Sequence, residues 1–255
     1  MAPDTRAPYE VISQIYDKWV THMRYDLMAK YIISCFPQGA TDLRCLDLCC
    51  GTGTLAVHLG STGVQVWGLD RSGPMLEVAR RKIQASRLEH RVRLSEMDVM
   101  AEEWPKGPFD LVVCTSDSVN YFAPADLSTL FRRVALALQP NASFIFDINT
   151  PHKLRDVFGD TTYAETRDDY CYIWKNELDL DRHSVSFQID LFLPVSTQYS
   201  RYREVHRQYY LEIDEIAGML AKEGLDIAQC HDEYELRMPD NSTLRLVFHV
   251  RPSTL

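Results

Sequence analysis

The chain has 255 residues, of which 45% are hydrophobic, and its 36 acidic and 27 basic residues give a formal net charge of −9. This length predicts one large domain with an added segment. The acidic balance argues against a nucleic-acid partner, and no apolar run reaches the roughly 20 residues of a membrane span. The seven cysteines include no C-x-x-C pair and the N-terminal residues do not resemble a signal peptide, so we expect a cytoplasmic protein with free thiols.

The N-terminal stretch, residues 9–36, has apolar residues at helical spacing and is rich in tyrosine and tryptophan. This periodicity predicts an amphipathic helical segment. The segment has two interpretations, a cap over a sheet or a lid over a ligand.

Residues 43–71 carry the most informative pattern in the chain. An apolar run that contains Asp47 is followed by the small-residue turn Cys49-Cys50-Gly51-Thr52-Gly53, a helical pattern, and a second apolar run that ends at Asp70. Glycines allow the backbone to lie against a ligand, and the helix that follows presents free N–H groups to it. The separation in sequence between Gly53 and Asp70 is close to the roughly 20-residue offset at which an acid binds ribose hydroxyls. The pattern predicts a nucleotide-binding βαβ unit, with a ligand-free turn as the alternative.

Two common nucleotide-binding turns fit this stretch less well. The G-x-G-x-x-G turn of NAD-binding proteins requires a third glycine where Ala56 stands, although alanine is tolerated there. A P-loop requires Gly-Lys-Ser/Thr, which is absent. The prediction of a dinucleotide-binding site is therefore weakened but not excluded.

The turn resembles motif I of class I S-adenosylmethionine-dependent methyltransferases, D/E-x-G-x-G-x-G, which here spans Asp47 to Gly53. Cys49 replaces the first glycine, and because cysteine rarely adopts a positive φ we predict ordinary backbone there. The resemblance implies an α/β fold, a Rossmann-like seven-stranded sheet with helices on both faces and strand order 3-2-1-4-5-7-6. It also implies S-adenosyl-L-methionine as cofactor, bound by Tyr16, Tyr25, Asp47, Cys49, Gly51, Gly53, Asp70, Arg71, Met75, Asp98, Val99 and Cys114.

Polar residues follow the fourth and fifth predicted strands, in the loop 115–122 and at residues 147–149. Ligands bind at the carboxyl ends of parallel strands, so we predict that these residues contact the substrate. Turn formation, capping and packing are the alternatives. The predicted substrate-binding residues are Trp19, Asp117, Asn120, Asp147, Asn149 and Trp174. Ile148 separates the last acid from its asparagine and no third acid is in register, so no metal is predicted.

Residues 152–212 alternate between apolar and polar, which predicts antiparallel strands. Inserted after strand five, they are expected to cover the carboxyl edge of the sheet. We expect an N-terminal lid at 1–40, a cofactor-binding domain at 41–151 and 213–255, and a substrate cover at 152–212. Glu204-Val-His206-Arg207 resembles a pattern in sugar-amine N-methyltransferases. His206 is either a catalytic base or a hydrogen-bonding residue within the sheet.

Methyl transfer from a sulfonium requires mainly positioning and a deprotonated acceptor. We therefore expect transfer to an amine or hydroxyl of a small molecule, with His206 and Tyr121 as catalytic residues and a monomeric or homodimeric enzyme. The N/D-P-P-Y/F/W signature of base methylation is absent. The alternatives are a cyclase or isomerase that retains the methyl group, a protein or RNA methyltransferase, and an NAD-dependent oxidoreductase.

Overall fold

The computed structural model describes residues 3–36 and 38–253, and its strands form a seven-stranded central sheet and a five-stranded second sheet. The strands are β1 (Asp4–Arg6), β2 (Arg44–Leu48), β3 (Gln65–Asp70), β4 (Val92–Glu96), β5 (Phe109–Cys114), β6 (Leu138–Asn149), β7 (Thr162–Thr166), β8 (Cys171–Asp179), β9 (Ser184–Val195), β10 (Gln198–Tyr209), β11 (Leu225–Asp232) and β12 (Arg245–Pro252). The helices are α1 (Tyr16–Trp19), α2 (Tyr25–Ser34), α3 (Thr54–Ser61), α4 (Gly73–Ala85), α5 (Pro124–Ala137) and α6 (Ile213–Lys222). Shorter helical turns cover Ile12–Gln14, Ser118–Tyr121 and His152–Phe158.

The central sheet has the order β4-β3-β2-β5-β6-β12-β11, which confirms the predicted order 3-2-1-4-5-7-6. The five strands β2 to β6 are parallel, and β12 runs antiparallel between β6 and β11. The carboxyl ends of the parallel strands therefore meet along one edge of the sheet. Asp70 and Asn149 are the last residues of β3 and β6, and both lie at this edge.

Both faces of the central sheet are covered, because its strands are apolar on both sides. On one face Leu46 and Phe144 pack against α5 and α6, and on the other Cys45 and Ile145 pack against α2 and α3. The Ser72 side chain accepts a hydrogen bond of 3.4 Å from the backbone N–H of Met75 and so caps α4. No helix in residues 3–36 and 38–253 is long and apolar enough to cross a membrane.

The second sheet confirms the predicted antiparallel strands, in the order β1-β10-β9-β8-β7. Strand β1 pairs parallel with β10, so residues 4–6 join the inserted segment. The inner face of β9 buries Phe187 and Ile189 in a cluster with Val11 and Ile12. The N-terminal segment, residues 3–36, thereby packs on the second sheet at its start.

The N-terminal segment is helical in shorter pieces than the sequence predicts. Residues 20–24 separate α1 from α2 and are not helical. The reason is that Ile12 belongs to the core of the second sheet, whereas Met28 and Ile32 belong to the core of the central sheet. One straight helix cannot reach both cores, so the chain turns between them.

Candidate active site

A cavity of about 350 Å³ lies at the carboxyl edge of the central sheet. Its walls are the turn after β2, the end of β3, the loops after β4 and β5, and the N-terminal segment. Ten of the twelve predicted cofactor residues line it: Tyr16, Tyr25, Asp47, Cys49, Gly51, Asp70, Arg71, Met75, Asp98 and Val99. Gly53 and Cys114 do not line it; they lie beside it, in the same turn and at the end of β5.

The turn after β2 corrects the prediction of ordinary backbone at Cys49, whose φ is +57°. This left-handed conformation costs a non-glycine residue about 1–2 kcal/mol. The surrounding hydrogen bonds hold it, since Cys50 N–H donates to the carbonyl of Leu69 at 3.0 Å and Gly53 N–H donates to the carbonyl of Cys50 at 2.9 Å. The backbone thus adopts the shape that the first glycine of the motif would allow, with a cysteine in its place.

The two glycines of the turn have separate structural roles. Gly51 has a φ of +54°, and its N–H donates to Oδ2 of Asp70 at 2.8 Å, which joins the turn to the end of β3. Gly53 has a φ of +69°, and a Cβ there would lie 2.8 Å from Cβ of Ala79 on α4. Gly53 therefore permits the close approach of α4, although its atoms do not line the cavity.

Four aspartates line the cavity, Asp47, Asp70, Asp98 and Asp126, and Asp47 is the buried one. Asp47 is 2% exposed, and its Oδ2 has no hydrogen-bond partner among the residues that the structure describes. Burial, and secondly the charge of Asp70, raises the pKa of Asp47 to about 8. Burial also raises the pKa of Asp70, although hydrogen bonds from the backbone N–H groups of Ser72 and Gly51 act to lower it. An unpaired buried carboxylate oxygen in such a cavity suits a cationic ligand, because the cation would offset the loss of solvation.

Tyrosines of the N-terminal segment close one side of this cavity. Tyr9, Tyr16 and Tyr25 line it, and burial raises the pKa of each of their hydroxyls. The hydroxyl of Tyr9 donates to that of Tyr121 at 2.6 Å. Sequence reasoning missed Tyr9 as a site residue; its only signal was a position in an aromatic stretch.

A buried chain of hydrogen bonds leads away from the cavity through Tyr121. The Tyr121 hydroxyl lies 3.2 Å from Nδ1 of His206, and Nε2 of His206 lies 3.1 Å from Oε2 of Glu204. His206 is 3% exposed and does not line the cavity, so it reaches the cavity only through Tyr121. The ring of His206, predicted as a catalytic base or as a hydrogen-bonding residue within the sheet, therefore lies behind the tyrosine.

Glu204 fixes the tautomer of His206. Its carboxylate also accepts hydrogen bonds from the backbone N–H groups of Tyr9 (2.7 Å), Val11 (2.7 Å) and Ile12 (3.0 Å). Burial opposes ionisation, but the hydrogen bonds from His206 and from the backbone hold the pKa of Glu204 below its ordinary value. An ionised Glu204 accepts the proton on Nε2, which leaves Nδ1 free to accept from the Tyr121 hydroxyl.

Asp117 and Asp147, predicted to contact substrate, are joined by a buried arginine. Arg245 donates to both carboxylates, at 2.8 Å to Oδ1 of Asp117. The carboxylate of Asp147 also accepts from the backbone N–H groups of Ser116 (2.7 Å) and Asp117 (2.6 Å), which holds the loop after β5. Neither acid lines the cavity.

Asn120 and Asn149 are both buried and connect the second sheet to the central sheet. Nδ2 of Asn120 donates to the carbonyl of Tyr209 at 2.9 Å, and its Oδ1 accepts from the backbone of Asn149 at 2.8 Å. Nδ2 of Asn149 donates to Oε1 of Gln208 at 2.9 Å, and Nε2 of Gln208 donates to Asp117 at 2.6 Å. The structure thus places both amides at the junction of the sheets and not in the cavity wall.

The two tryptophans predicted to contact substrate lie together, outside the cavity wall. The rings of Trp19 and Trp174 are 5.5 Å apart, and Trp19 also packs on Tyr172 at 5.3 Å. Trp174 contacts Phe158 at 5.5 Å. These rings form an aromatic cluster between α1 and the inner face of the second sheet. Within the described parts of the chain, no three or more His, Cys, Asp or Glu side chains are grouped so that they could hold a metal ion.

Comparisons with known proteins agree with this geometry. The family Methyltransf_25, a methyltransferase domain, matches residues 45–141. A protein of Bacillus subtilis (strain 168) named as a methyltransferase, YqeM, is 30% identical over 246 residues, which are 96% of this chain and 97% of the relative.

Solved structures extend the likeness to the second sheet. An S-adenosylmethionine-dependent methyltransferase from Clostridium acetobutylicum ATCC 824 has a TM-score of 0.86 and 29% identity, over 96% of this chain and 99% of that one. The amino pentose methyltransferase CalS10 from Micromonospora echinaspora has a TM-score of 0.70 over 93% of this chain and 96% of that one; at 17% identity this likeness shows the fold.

The chain belongs to the S-adenosylmethionine-dependent methyltransferases, with a class I fold. S-adenosyl-L-methionine is its cofactor. The cavity fits this molecule, which is a cation, because Asp47 offers it an unpaired buried carboxylate oxygen.

Proposed function

We propose that this enzyme transfers the methyl group of S-adenosyl-L-methionine to an amine or hydroxyl of a small molecule, and that Tyr121 and His206 remove the acceptor's proton. The observation that carries the proposal is the buried chain from Tyr121 through His206 to Glu204. It begins at the wall of the cavity and ends on an ionised carboxylate. The cofactor supplies an activated methyl group, so the protein's share of the chemistry is positioning and deprotonation.

The proton path follows from the directions of these hydrogen bonds. Tyr121 donates its proton to Nδ1 of His206, and its oxygen accepts the O–H of Tyr9. When an acceptor N–H or O–H passes its proton to the Tyr121 oxygen, the tyrosine proton moves to Nδ1. His206 then becomes an imidazolium, which the Glu204 carboxylate stabilises. The Tyr9 hydroxyl remains bonded to the Tyr121 oxygen and holds it in position while one proton arrives and the other leaves, so Tyr121 stays neutral.

The three parts of the chain have distinct roles in this proposal. Residues 41–151 and 213–255 bind the cofactor through the turn after β2 and through Asp70. Residues 1–40 contribute the tyrosines that close the cavity. Residues 152–212 cover the acceptor and contribute Glu204 and His206. The aromatic cluster around Trp19 and Trp174 supports an acceptor that carries a ring or an apolar part, in a monomeric or homodimeric enzyme.

The experiment combines cofactor binding with a search for the acceptor. Purified protein is incubated with methyl-labelled S-adenosyl-L-methionine and a metabolite extract, and labelled products are identified by mass spectrometry. Calorimetry on the same sample measures cofactor affinity. Label in a small-molecule amine or hydroxyl supports the proposal. Label in a protein or RNA fraction alone would contradict it.

Variants of the proton path test the mechanism once the acceptor is known. His206→Asn retains hydrogen-bonding capacity but cannot take up the proton, so we expect turnover to fall by about 10²–10⁴-fold with cofactor affinity unchanged. Tyr121→Phe should give a similar loss. His183→Asn is the matched control, since His183 stacks on Tyr210 in the second sheet and lies outside the cavity wall. Undiminished turnover in His206→Asn would show that the hydrogen bonds from Tyr121 through His206 to Glu204 are not part of the mechanism.

A further inference from the structure

Lys82 lies at a junction between the N-terminal segment and the cofactor turn. Its Nζ is 2.6 Å from Oδ2 and 2.7 Å from Oδ1 of Asp17, 2.9 Å from Oγ1 of Thr52 and 2.6 Å from Oγ1 of Thr54. An ammonium group has three hydrogens, and here they have three partner residues. The Thr52 hydroxyl in turn donates to Oδ1 of Asp17 at 2.8 Å.

These four side chains connect α1, the turn after β2, α3 and α4. Asp17 lies on α1, next to Tyr16, which lines the cavity. Thr52 belongs to the turn after β2 and Thr54 begins α3, and both line the cavity. Lys82 comes from α4 and approaches them from behind the cavity wall. A displacement of α1 away from the cavity would therefore break several bonds of Asp17 at once.

The surroundings of Lys82 make this junction stronger than an exposed ion pair. The Lys82 side chain is 26% exposed. By contrast, the side chain of Lys18, which lies on α1 beside Asp17 and pairs with Asp169, is 65% exposed. Exposed pairs of that kind contribute little, because water screens both charges. Burial lowers the pKa of Lys82 and the pairing with Asp17 raises it, so the partly buried ammonium depends on that carboxylate.

We propose that Lys82 is a positioning residue that holds Tyr16 and the N-terminal segment over the bound cofactor by binding Asp17, Thr52 and Thr54 together. Tyr9, Tyr16 and Tyr25 line the cavity on that side, so in this proposal the cofactor leaves when the N-terminal segment moves away from it. Lys82 therefore sets the rate at which the cofactor leaves. The inference rests on S-adenosyl-L-methionine occupying this cavity and is independent of the acceptor and of the proton path.

The test measures dissociation of methyl-labelled S-adenosyl-L-methionine from the purified full-length protein, without acceptor, in a chase with excess unlabelled cofactor. Lys82→Met should release the label about tenfold faster, which corresponds to the loss of one strong charge-assisted contact. Lys82→Arg restores a cation and should recover most of the slow release. Lys18→Met is the matched control on α1 and should release the label at the wild-type rate.

A double-mutant cycle separates this role from a general loss of stability. Asp17→Asn alone should also speed release, and the double variant Asp17→Asn/Lys82→Met should be little faster than either single variant, because one interaction is removed in all three. Release from Lys82→Met at the wild-type rate would overturn the inference. So would an equal acceleration in Lys18→Met, or full additivity in the double variant. Thermal melting of each variant confirms that folded protein is measured.

Discussion

Asp47 is expected to link cofactor binding to pH. It lines the cavity, it is almost completely buried, and its Oδ2 has no hydrogen-bond partner in the part of the chain that the structure describes. Because its pKa is raised to about 8, the Asp47 carboxyl is protonated in most molecules of the free enzyme at neutral pH. A cationic ligand favours the ionised form, so binding of S-adenosyl-L-methionine should release a proton from Asp47.

The expected size of this linkage follows from the pKa of about 8. Such a carboxyl is ionised in about half of the molecules at pH 8 and in about 1% at pH 6. If the cofactor binds the ionised form, its affinity is about fifty-fold lower at pH 6 than at pH 8, or about 2.3 kcal/mol. At pH 7 the ratio of protonated to ionised carboxyl is about ten to one, so binding releases about 0.9 proton.

Calorimetry measures both quantities. Titrations at pH 6, 7 and 8 give the affinity, and repeating the pH 7 titration in buffers with different ionisation enthalpies gives the number of protons released. Asp47→Asn is the control, because it removes the carboxyl but retains any titration that belongs to the ligand. The reasoning is refuted if wild type and Asp47→Asn show the same dependence of affinity on pH, or if no proton is released by wild type at pH 7.

The same group links stability to pH in the free enzyme. The folded-state pKa of Asp47, about 8, lies above the ordinary value of 3.8 for this side chain, so the folded state binds the extra proton between these values. The free energy of unfolding of the cofactor-free enzyme should therefore fall as pH rises from about 4 to about 8. In Asp47→Asn this fall should be smaller, and chemical denaturation at several pH values measures the difference.

Two further substitutions test the framework around the cavity. Gly53→Ala places a Cβ at a φ of +69° and 2.8 Å from Cβ of Ala79. The free energy of unfolding should therefore fall by about 1–3 kcal/mol, and cofactor affinity should weaken because α4 is displaced. Adding Ala79→Gly should recover part of both losses, which denaturation and calorimetry measure. Arg245→Met leaves the carboxylates of Asp117 and Asp147 without their cation, so the free energy of unfolding should drop by about 3–5 kcal/mol, and an unchanged value would show that the arginine is not required for their burial.

The local parts of the site could be predicted from the sequence. Asp47, Gly51 and Asp70 are close in the chain, and their spacing determines that strand, turn and helix place them around one cavity. The strand order and the inserted antiparallel strands also follow from the pattern and the resemblance. The φ of Cys49 could not be predicted from the residue type, because hydrogen bonds of the flanking backbone impose it.

Contacts between distant parts of the chain account for the remaining differences. Asn149 ends a strand at the expected edge, but the sequence cannot show that Gln208, 59 residues further on, binds its amide. Tyr9 enters the cavity because Glu204, 195 residues away, accepts its backbone N–H. A polar residue at the correct edge is therefore available to a ligand only if the covering sheet does not already bind it.

Glu204 explains why the N-terminal segment and the second sheet act together. One carboxylate binds the backbone of Tyr9, Val11 and Ile12 and also orients His206. Because Tyr9 in turn donates to Tyr121, the tyrosine that would take the acceptor's proton is held from two directions by groups that both depend on Glu204. Movement of the N-terminal segment away from the second sheet would remove Tyr9 from Tyr121, whereas His206 and Glu204 both lie on β10 and would keep their hydrogen bond. In the proposed mechanism Tyr121 therefore keeps its contact with Tyr9 only while the segment packs on the second sheet, which is also the position in which Tyr9 and Tyr16 line the cavity.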